Sequence, residues 1–87
     1  MSKSELNEYR KNIDKIDSQI MSLLDKRFNE IKKIGDYKKL NNIPIENTNR
    51  ENEIIDSIID ISIDKSNKLP IKEVYKQIFK ESKNLEK

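Results

Sequence analysis

The chain has 87 residues and a net charge of only +2, with 33% of its residues hydrophobic and 39% charged. A chain of this length can hold one small core. We therefore predict that residues 1–87 form a single domain, which gains apolar burial by pairing with another chain. Because there is no cysteine and no histidine, disulfides, ordinary zinc sites, thiol catalysis and imidazole proton shuttles are excluded.

The distribution of charged and apolar residues limits the kinds of partner that we expect for this protein. Acidic and basic residues are interspersed, and the aromatics are only two Phe and three Tyr, so no nucleic-acid surface is predicted. The apolar runs are a few residues long, which predicts no membrane span. The N-terminal segment MSKSELNEYRKN lacks the apolar stretch of a signal peptide, so we expect a cytoplasmic protein.

The first predicted helix is long and ends near Leu40. Its apolar residues recur at spacings of three and four, the heptad pattern of a helix seam: Leu6, Tyr9, Ile13, Ile16, Ile20 and Leu23, then Leu24, Phe28, Ile31 and Ile34. Ser4 with Asn7 is a plausible start. About 37 helical residues span roughly 55 Å, more than the width of a globule of this size. The seam therefore predicts a dimer that covers it.

Two shorter helices follow a break at residues 41–45. Thr48 and Glu51 form a predicted capping box for the second helix, whose buried face carries Ile54, Ile55, Ile58, Ile59 and Ile61. After a polar loop at 65–69, Pro70 suits the first turn of a third helix. Its inner stripe is Ile71, Val74, Tyr75, Ile78, Ser82 and Leu85. The predicted fold is all-α, with three helices per chain and the long first helix shared in an intertwined homodimer.

Arginine is rare in this chain, which has fifteen Lys but three Arg. The two differ where a carboxylate must be held by a planar, bidentate group. The three arginines are therefore candidate ligand contacts, although three surface arginines would also fit. Arg10 is seventeen residues before Arg27, about 25 Å along the same helix. In an antiparallel dimer, Arg10 is predicted to reach the partner's site.

Arg27 and Lys38 place positive charge on the apolar stripe of the first helix. Arg27 falls seven residues after Ile20, and Lys38 lies about three turns further on. Charges in such positions are costly to bury unless they are paired. Glu30 is a possible internal partner for Arg27. The alternative is a small organic acid bound between the two side chains, whose alpha-carbons are about 16 Å apart by helical rise.

Four polar residues on the other helices are further candidates. Arg50 and Glu51 each stand four residues before an inward-facing isoleucine, so both are expected to face the interior. Glu51 could equally serve only the capping box. Ser82 interrupts the apolar stripe of the third helix and Glu86 follows one turn later. These two could contact a ligand or form the frayed polar end of a terminal helix.

Taken together, these residues resemble the signature of the all-α chorismate mutases over essentially the whole chain. The resemblance is carried by Arg10-x-x-Ile13-x-x-Ile16-Asp17, Leu23-Leu24-x-x-Arg27, Gly35-x-x-Lys38, Pro44-Ile45, Asn49-Arg50-Glu51, Ser82 and Glu86. It implies an intertwined homodimer with two identical sites. Each site would take Arg10 from the partner chain and the other residues from one chain.

The resemblance also implies a reaction, the rearrangement of chorismate to prephenate on the way to phenylalanine and tyrosine. This intramolecular pericyclic step needs no nucleophile, metal or cofactor. The implied roles are carboxylate binding by Arg10 and Arg27 with support from Arg50 and Ser82, donation to the ether oxygen by Lys38, and acceptance from the ring hydroxyl by Glu51.

Glu86 departs from the commonest family pattern, in which a glutamine amide donates to the ether oxygen. An ionised Glu86 would repel that oxygen, whereas a protonated one could donate to it. We therefore predict that activity falls as pH rises through the range in which Glu86 ionises. Glu86→Gln is expected to flatten that profile.

Two alternatives compete with the mutase. One is a lyase of the same fold, which converts isochorismate to salicylate and pyruvate with shared carboxylate-binding residues. The other is a non-catalytic helical dimer that binds or responds to chorismate-like acids. Assays with each substrate would distinguish the three.

Overall fold

The computed structural model describes residues 2–60 and 63–87, with the backbone alone for 59 and 60. It contains three α-helices, α1 (Lys3–Leu40), α2 (Thr48–Asp60) and α3 (Lys68–Glu86), and a short 3₁₀ helix at Lys65–Asn67. Within these residues there is no strand, and the predicted all-α fold with a long first helix is confirmed. Over the same part of the chain, no helix has the length and apolar character needed to cross a membrane.

Local hydrogen bonds fix both ends of α1. The Ser2 hydroxyl accepts from the Glu5 N–H at 3.2 Å, so the helix is capped two residues earlier than predicted. At the other end, Asn42 has a φ of 56°, a left-handed conformation that asparagine tolerates. The Ile43 N–H donates to the Lys38 carbonyl at 2.9 Å, as in a Schellman motif. The predicted break at residues 41–45 is therefore confirmed.

Helix α2 is capped by Asn47 rather than by the predicted Thr48. The Asn47 side-chain oxygen accepts from the Arg50 N–H at 3.0 Å, one residue out of register with the predicted capping box. Glu51 is thereby released from a capping role. The inward face is confirmed at three isoleucines, with Ile58 buried and Ile54 and Ile55 half-buried. The side chain of Ile59 and all of Ile61 lie outside the described residues.

The loop before α3 is shorter in the structure than the sequence predicted. Asp64 accepts from the hydroxyl of Ser66 at 2.7 Å and from its N–H at 2.9 Å. Both hydrogen bonds lower the pKa of Asp64, and the bond from the Ser66 hydroxyl has the larger effect. Helix α3 then begins at Lys68, two residues before Pro70. Pro70 still falls in the first turn, where its missing N–H leaves no helical bond unmade.

Contacts divide the chain into two compact units, Met1–Glu30 and Ile31–Lys87. In the first unit, α1 exposes its apolar seam, with Tyr9 58%, Ile13 54% and Ile20 48% exposed. In the second unit, α2 packs against α3, and Ile58 and Phe79 form the buried apolar core among the described residues. The predictions of a single domain and of a homodimer stay predictions.

Candidate active site

Lys38 and Glu86 form a largely buried ion pair. The Lys38 Nζ lies 2.6 Å from Glu86 Oε1, and the side chains are 14% and 5% exposed. Because this carboxylate oxygen has no partner in hydrogen-bond geometry, the contact is electrostatic rather than a well-aligned hydrogen bond. The same Nζ donates to the Ile45 carbonyl at 2.7 Å. Lys38 therefore has an anion within its own chain, a pairing that helical spacing along α1 does not reveal.

Gly35 lets the end of α3 approach α1 beside this pair. A Cβ at position 35 would lie 2.8 Å from Glu86 Cα and 3.0 Å from the Glu86 carbonyl oxygen. Any other residue would therefore force one backbone to move. Since Gly35 is three residues before Lys38, both lie on nearly the same face of α1. The glycine thus sets how closely the Glu86 carboxylate can approach the ammonium.

Ser82 lies one turn before Glu86 on the buried face of α3. The two residues are 5% and 4% exposed, so the alternative of a frayed, solvated helix end is wrong. The Ser82 hydroxyl donates to the Ile78 carbonyl at 2.7 Å, a bond back onto its own helix. Both side chains are thus held in place inside the second unit.

Glu51 is connected to α3 through Lys83. The Lys83 Nζ lies 3.3 Å from Glu51 Oε2 and 3.3 Å from Glu46 Oε1. The hydrogen bond to Glu51 is the main cause that raises the pKa of Lys83, opposed by desolvation and aided by Glu46. Sequence reasoning missed Lys83, which lies four residues after Phe79, because the burial of Phe79 is seen only in the structure.

A cavity of about 550 Å³ opens beside this group. Its wall includes Ile45 and Glu46 from the loop, Glu51 from α2, and Phe79 and Lys83 from α3. This volume falls in the range of small-ligand sites. A small polar ligand in the cavity could therefore contact a carboxylate and an ammonium from two helices.

Arg50 lies on the outer face of α2. Its Nη1 donates to Glu53 Oε2 at 3.1 Å, and its side chain is 65% exposed. The prediction that Arg50 faces the interior is therefore wrong. Arg50 is eight residues before buried Ile58, about 80° around the helix, whereas Glu51 is seven before it and about 20° away. A ligand-binding role for Arg50 stays a prediction.

Arg10 and Arg27 belong to the first unit. Arg10 is exposed, and Arg27 is half-buried, which agrees with its expected place on the seam. The pairing of Arg27 with Glu30 stays an open alternative. The joint role of the two arginines in one site also stays a prediction.

The second unit offers groups suited to binding and polarising a ligand. They are a largely buried ammonium at Lys38, a carboxylate on the cavity wall at Glu51 and a buried hydroxyl at Ser82. Among the described side chains, those of residues 2–58 and 63–87, no group of three or more acidic residues is arranged to hold a metal ion. That the reaction needs no cofactor stays a prediction.

The sequence that carries these residues matches a known family. Residues 9–87 match the model for chorismate mutase type II. Over 75 residues, 86% of this chain, it is 40% identical to the bifunctional chorismate mutase/prephenate dehydratase of Aquifex aeolicus (strain VF5), and it spans 18% of that protein. A solved structure of a conserved hypothetical protein from Pyrococcus furiosus is 35% identical, with a TM-score of 0.82 over 99% of this chain and 100% of that one. This chain therefore belongs to the chorismate mutase type II family.

Proposed function

We propose that this chain is a chorismate mutase, an isomerase that rearranges chorismate to prephenate. Family membership over residues 9–87 supports the activity. The structural observation that carries the proposal is the buried ammonium of Lys38, held by the Ile45 carbonyl at 2.7 Å. A fixed cation in a small helical protein suits a reaction that develops negative charge and needs no nucleophile.

The chemistry demands two things of the protein. The enolpyruvyl arm must be held over the ring so that the new C–C bond can form as the C–O bond breaks. The ether oxygen that gains negative charge must then be stabilised by a donor already in place. Removing one such donor commonly costs on the order of 3 kcal/mol in the barrier.

Lys38 is the proposed donor to the ether oxygen. A lysine ammonium has three N–H donors, and the Ile45 carbonyl accepts one of them, while the Glu86 carboxylate contacts the ammonium at 2.6 Å without hydrogen-bond geometry. At least one donor is left for the substrate without disturbing the bond to Ile45. The ammonium is thus oriented before the substrate arrives, which is the condition for electrostatic stabilisation without reorganisation.

The remaining proposed roles concern binding. The two substrate carboxylates are held by Arg10 and Arg27, with support from Arg50 and Ser82, while Glu51 accepts from the ring hydroxyl. Because Arg50 pairs with Glu53 on the outer face, it must change rotamer to take part. That pair is solvent-exposed and therefore weak.

The proposed assembly is a homodimer in which Arg10 completes the partner's site. The exposed seam of α1 supports it, since Tyr9, Ile13 and Ile20 are all about half exposed in one chain. Contiguous apolar surface of this kind is normally covered by another surface. An identical helix offers a matching seam.

Glu86 gives the proposed mechanism a pH dependence. Ionised, Glu86 neutralises part of the Lys38 charge at 2.6 Å and faces the ether oxygen with negative charge. Activity is therefore expected to be lower when Glu86 carries its charge, and the Glu86→Gln enzyme should show a flatter pH profile than wild type. A wild-type profile that is already flat would contradict this role.

The direct test is a chorismate-consumption assay on the purified protein. Wild type should consume chorismate, Arg10→Ala should lose about a hundredfold in kcat/KM, and the exposed neighbour Lys11→Ala should behave as wild type. A wild type that leaves chorismate intact would contradict the activity, and a fully active Arg10→Ala would contradict the shared site. Isochorismate assayed in parallel addresses the lyase alternative.

The cytoplasmic location stays a prediction, which fractionation of the source cells would check.

A further inference from the structure

We infer that Lys83 is a positioning residue that holds the Glu51 carboxylate toward the cavity and thereby sets substrate affinity. This inference rests on the proposed function, in which Glu51 accepts a hydrogen bond from the substrate hydroxyl. Lys83 itself need not touch the substrate. It acts through the carboxylate that it contacts.

The contact between Lys83 and Glu51 leaves one carboxylate oxygen of Glu51 able to accept a hydrogen bond from the substrate. The Lys83 ammonium approaches only Oε2 of Glu51, at 3.3 Å, so Oε1 can accept from a ligand. Both side chains are partly shielded, with Lys83 31% and Glu51 27% exposed, and both line the same cavity. An unpaired glutamate at this position could adopt several rotamers, some directed toward bulk water.

Lys83 also joins three parts of the second unit. It belongs to α3 and contacts Glu51 on α2 and Glu46 in the loop before α2. That loop continues into Ile45, whose carbonyl accepts from Lys38. The position of the Glu51 carboxylate is therefore tied to the same loop that orients the proposed catalytic ammonium.

The charges around Lys83 make it a poor direct ligand for a substrate carboxylate. Its single positive charge faces two carboxylates at equal distance, so the local sum over the three groups is negative. Lys83 therefore has little charge left for an anionic substrate group, for which the cavity wall offers other lysines such as Lys80 and Lys87, whereas a neutral hydroxyl donor would be attracted to Glu51. Lys83 therefore favours hydroxyl recognition by holding and partly neutralising Glu51.

The role predicts a specific kinetic signature. The ring hydroxyl is bound similarly in the ground and transition states, because it takes no part in bond making or breaking. Loss of such uniform binding raises KM and leaves kcat nearly unchanged. Lys83→Met, which keeps the apolar stem and removes the charge, should raise KM about fivefold, as expected for a partly exposed ion pair.

The experiment measures kcat and KM for chorismate in matched variants of the full chain. Lys83→Arg keeps the charge and should restore most of the affinity. Lys72→Met removes an equal charge from the same helix about 16 Å away and should leave both constants unchanged. Glu51→Ala supplies the background for a double-mutant cycle, in which Lys83→Met should have no further effect.

Three results would overturn the inference. If the increases in KM caused by Lys83→Met and Glu51→Ala multiply in the double variant, the two residues act independently. An unchanged KM in Lys83→Met would show that Lys83 has no positioning role. A fall in kcat with constant KM, matched by a loss of folded protein in circular dichroism, would show a purely structural role. Wild-type turnover is measured first, because an inactive wild type contradicts the proposed function itself and this inference with it.

Discussion

The two units of this chain differ in how far they bury their apolar and charged side chains. The unit from Ile31 to Lys87 buries Ile58 and Phe79 and places Lys38 and Glu86 as an internally paired set of charges. The unit from Met1 to Glu30 is one helix whose apolar seam stays exposed. The first lesson is that the buried charges lie where the chain folds on itself. The second is that the N-terminal seam is exposed in one chain, which is why a second copy is proposed to cover it.

The largest expected effect lies in the second unit, at Lys38. Lys38→Met removes the proposed donor and should lower kcat by about 10²–10³-fold. It also leaves a buried carboxylate without its cation, which should cost about 3–5 kcal/mol of unfolding free energy. Steady-state kinetics and urea unfolding measure the two effects.

Two controls separate stability from catalysis at this position. Lys39→Met changes an exposed neighbour and should leave both quantities near wild type. The double variant Lys38→Met/Glu86→Gln should recover much of the stability but none of the activity. Recovery of activity in the double variant would contradict the role of Lys38 as donor.

The next effect concerns the first unit and its seam. Ile16→Asp places a charge on the exposed apolar stripe and should weaken dimerisation by about a hundredfold in Kd, since the change occurs in both copies. Analytical ultracentrifugation over a dilution series measures the equilibrium. Lys15→Asp, a charge change one residue away and off the stripe, should dimerise as wild type. A wild type that is monomeric over the whole dilution series would contradict the proposed homodimer.

A smaller effect is expected where α3 closes on α1. Gly35→Ala should cost about 1–3 kcal/mol of unfolding free energy through overpacking against Glu86, partly offset by the better helix propensity of alanine. Because Glu86 is displaced from Lys38, kcat should also change. Asp36→Ala, the exposed neighbour, is the matched control for thermal unfolding. A Gly35→Ala protein more stable than wild type would show that the close approach is not tight.

Much of the fold could be predicted because helix periodicity is a local property. The seam of α1, the break at residues 41–45 and the inward face of α2 all follow from spacings within one segment. The helix starts were less accurate, since Ser2 and Asn47 rather than Ser4 and Thr48 accept the capping bonds. Several polar residues in a row can each cap a helix, and packing decides among them.

The candidate site was harder to predict because its key contacts join distant segments. Spacing flagged Lys38 and Glu86 separately, yet their pairing depends on α3 returning to Gly35. Arg50 was assigned to the wrong face because an offset of one residue turns a side chain through about 100°. Lys83 was missed since a lysine among fifteen carries no compositional signal.

The central claim is that the active site combines cations from two copies of this chain, and mixing two inactive variants tests it most directly. Arg10→Ala and Arg27→Ala should each have little activity alone. Refolded together, they should form hybrid dimers with one intact site, and the mixture should recover about a quarter of wild-type activity from random pairing. Activity that stays at the sum of the two separate variants would contradict a site shared between chains.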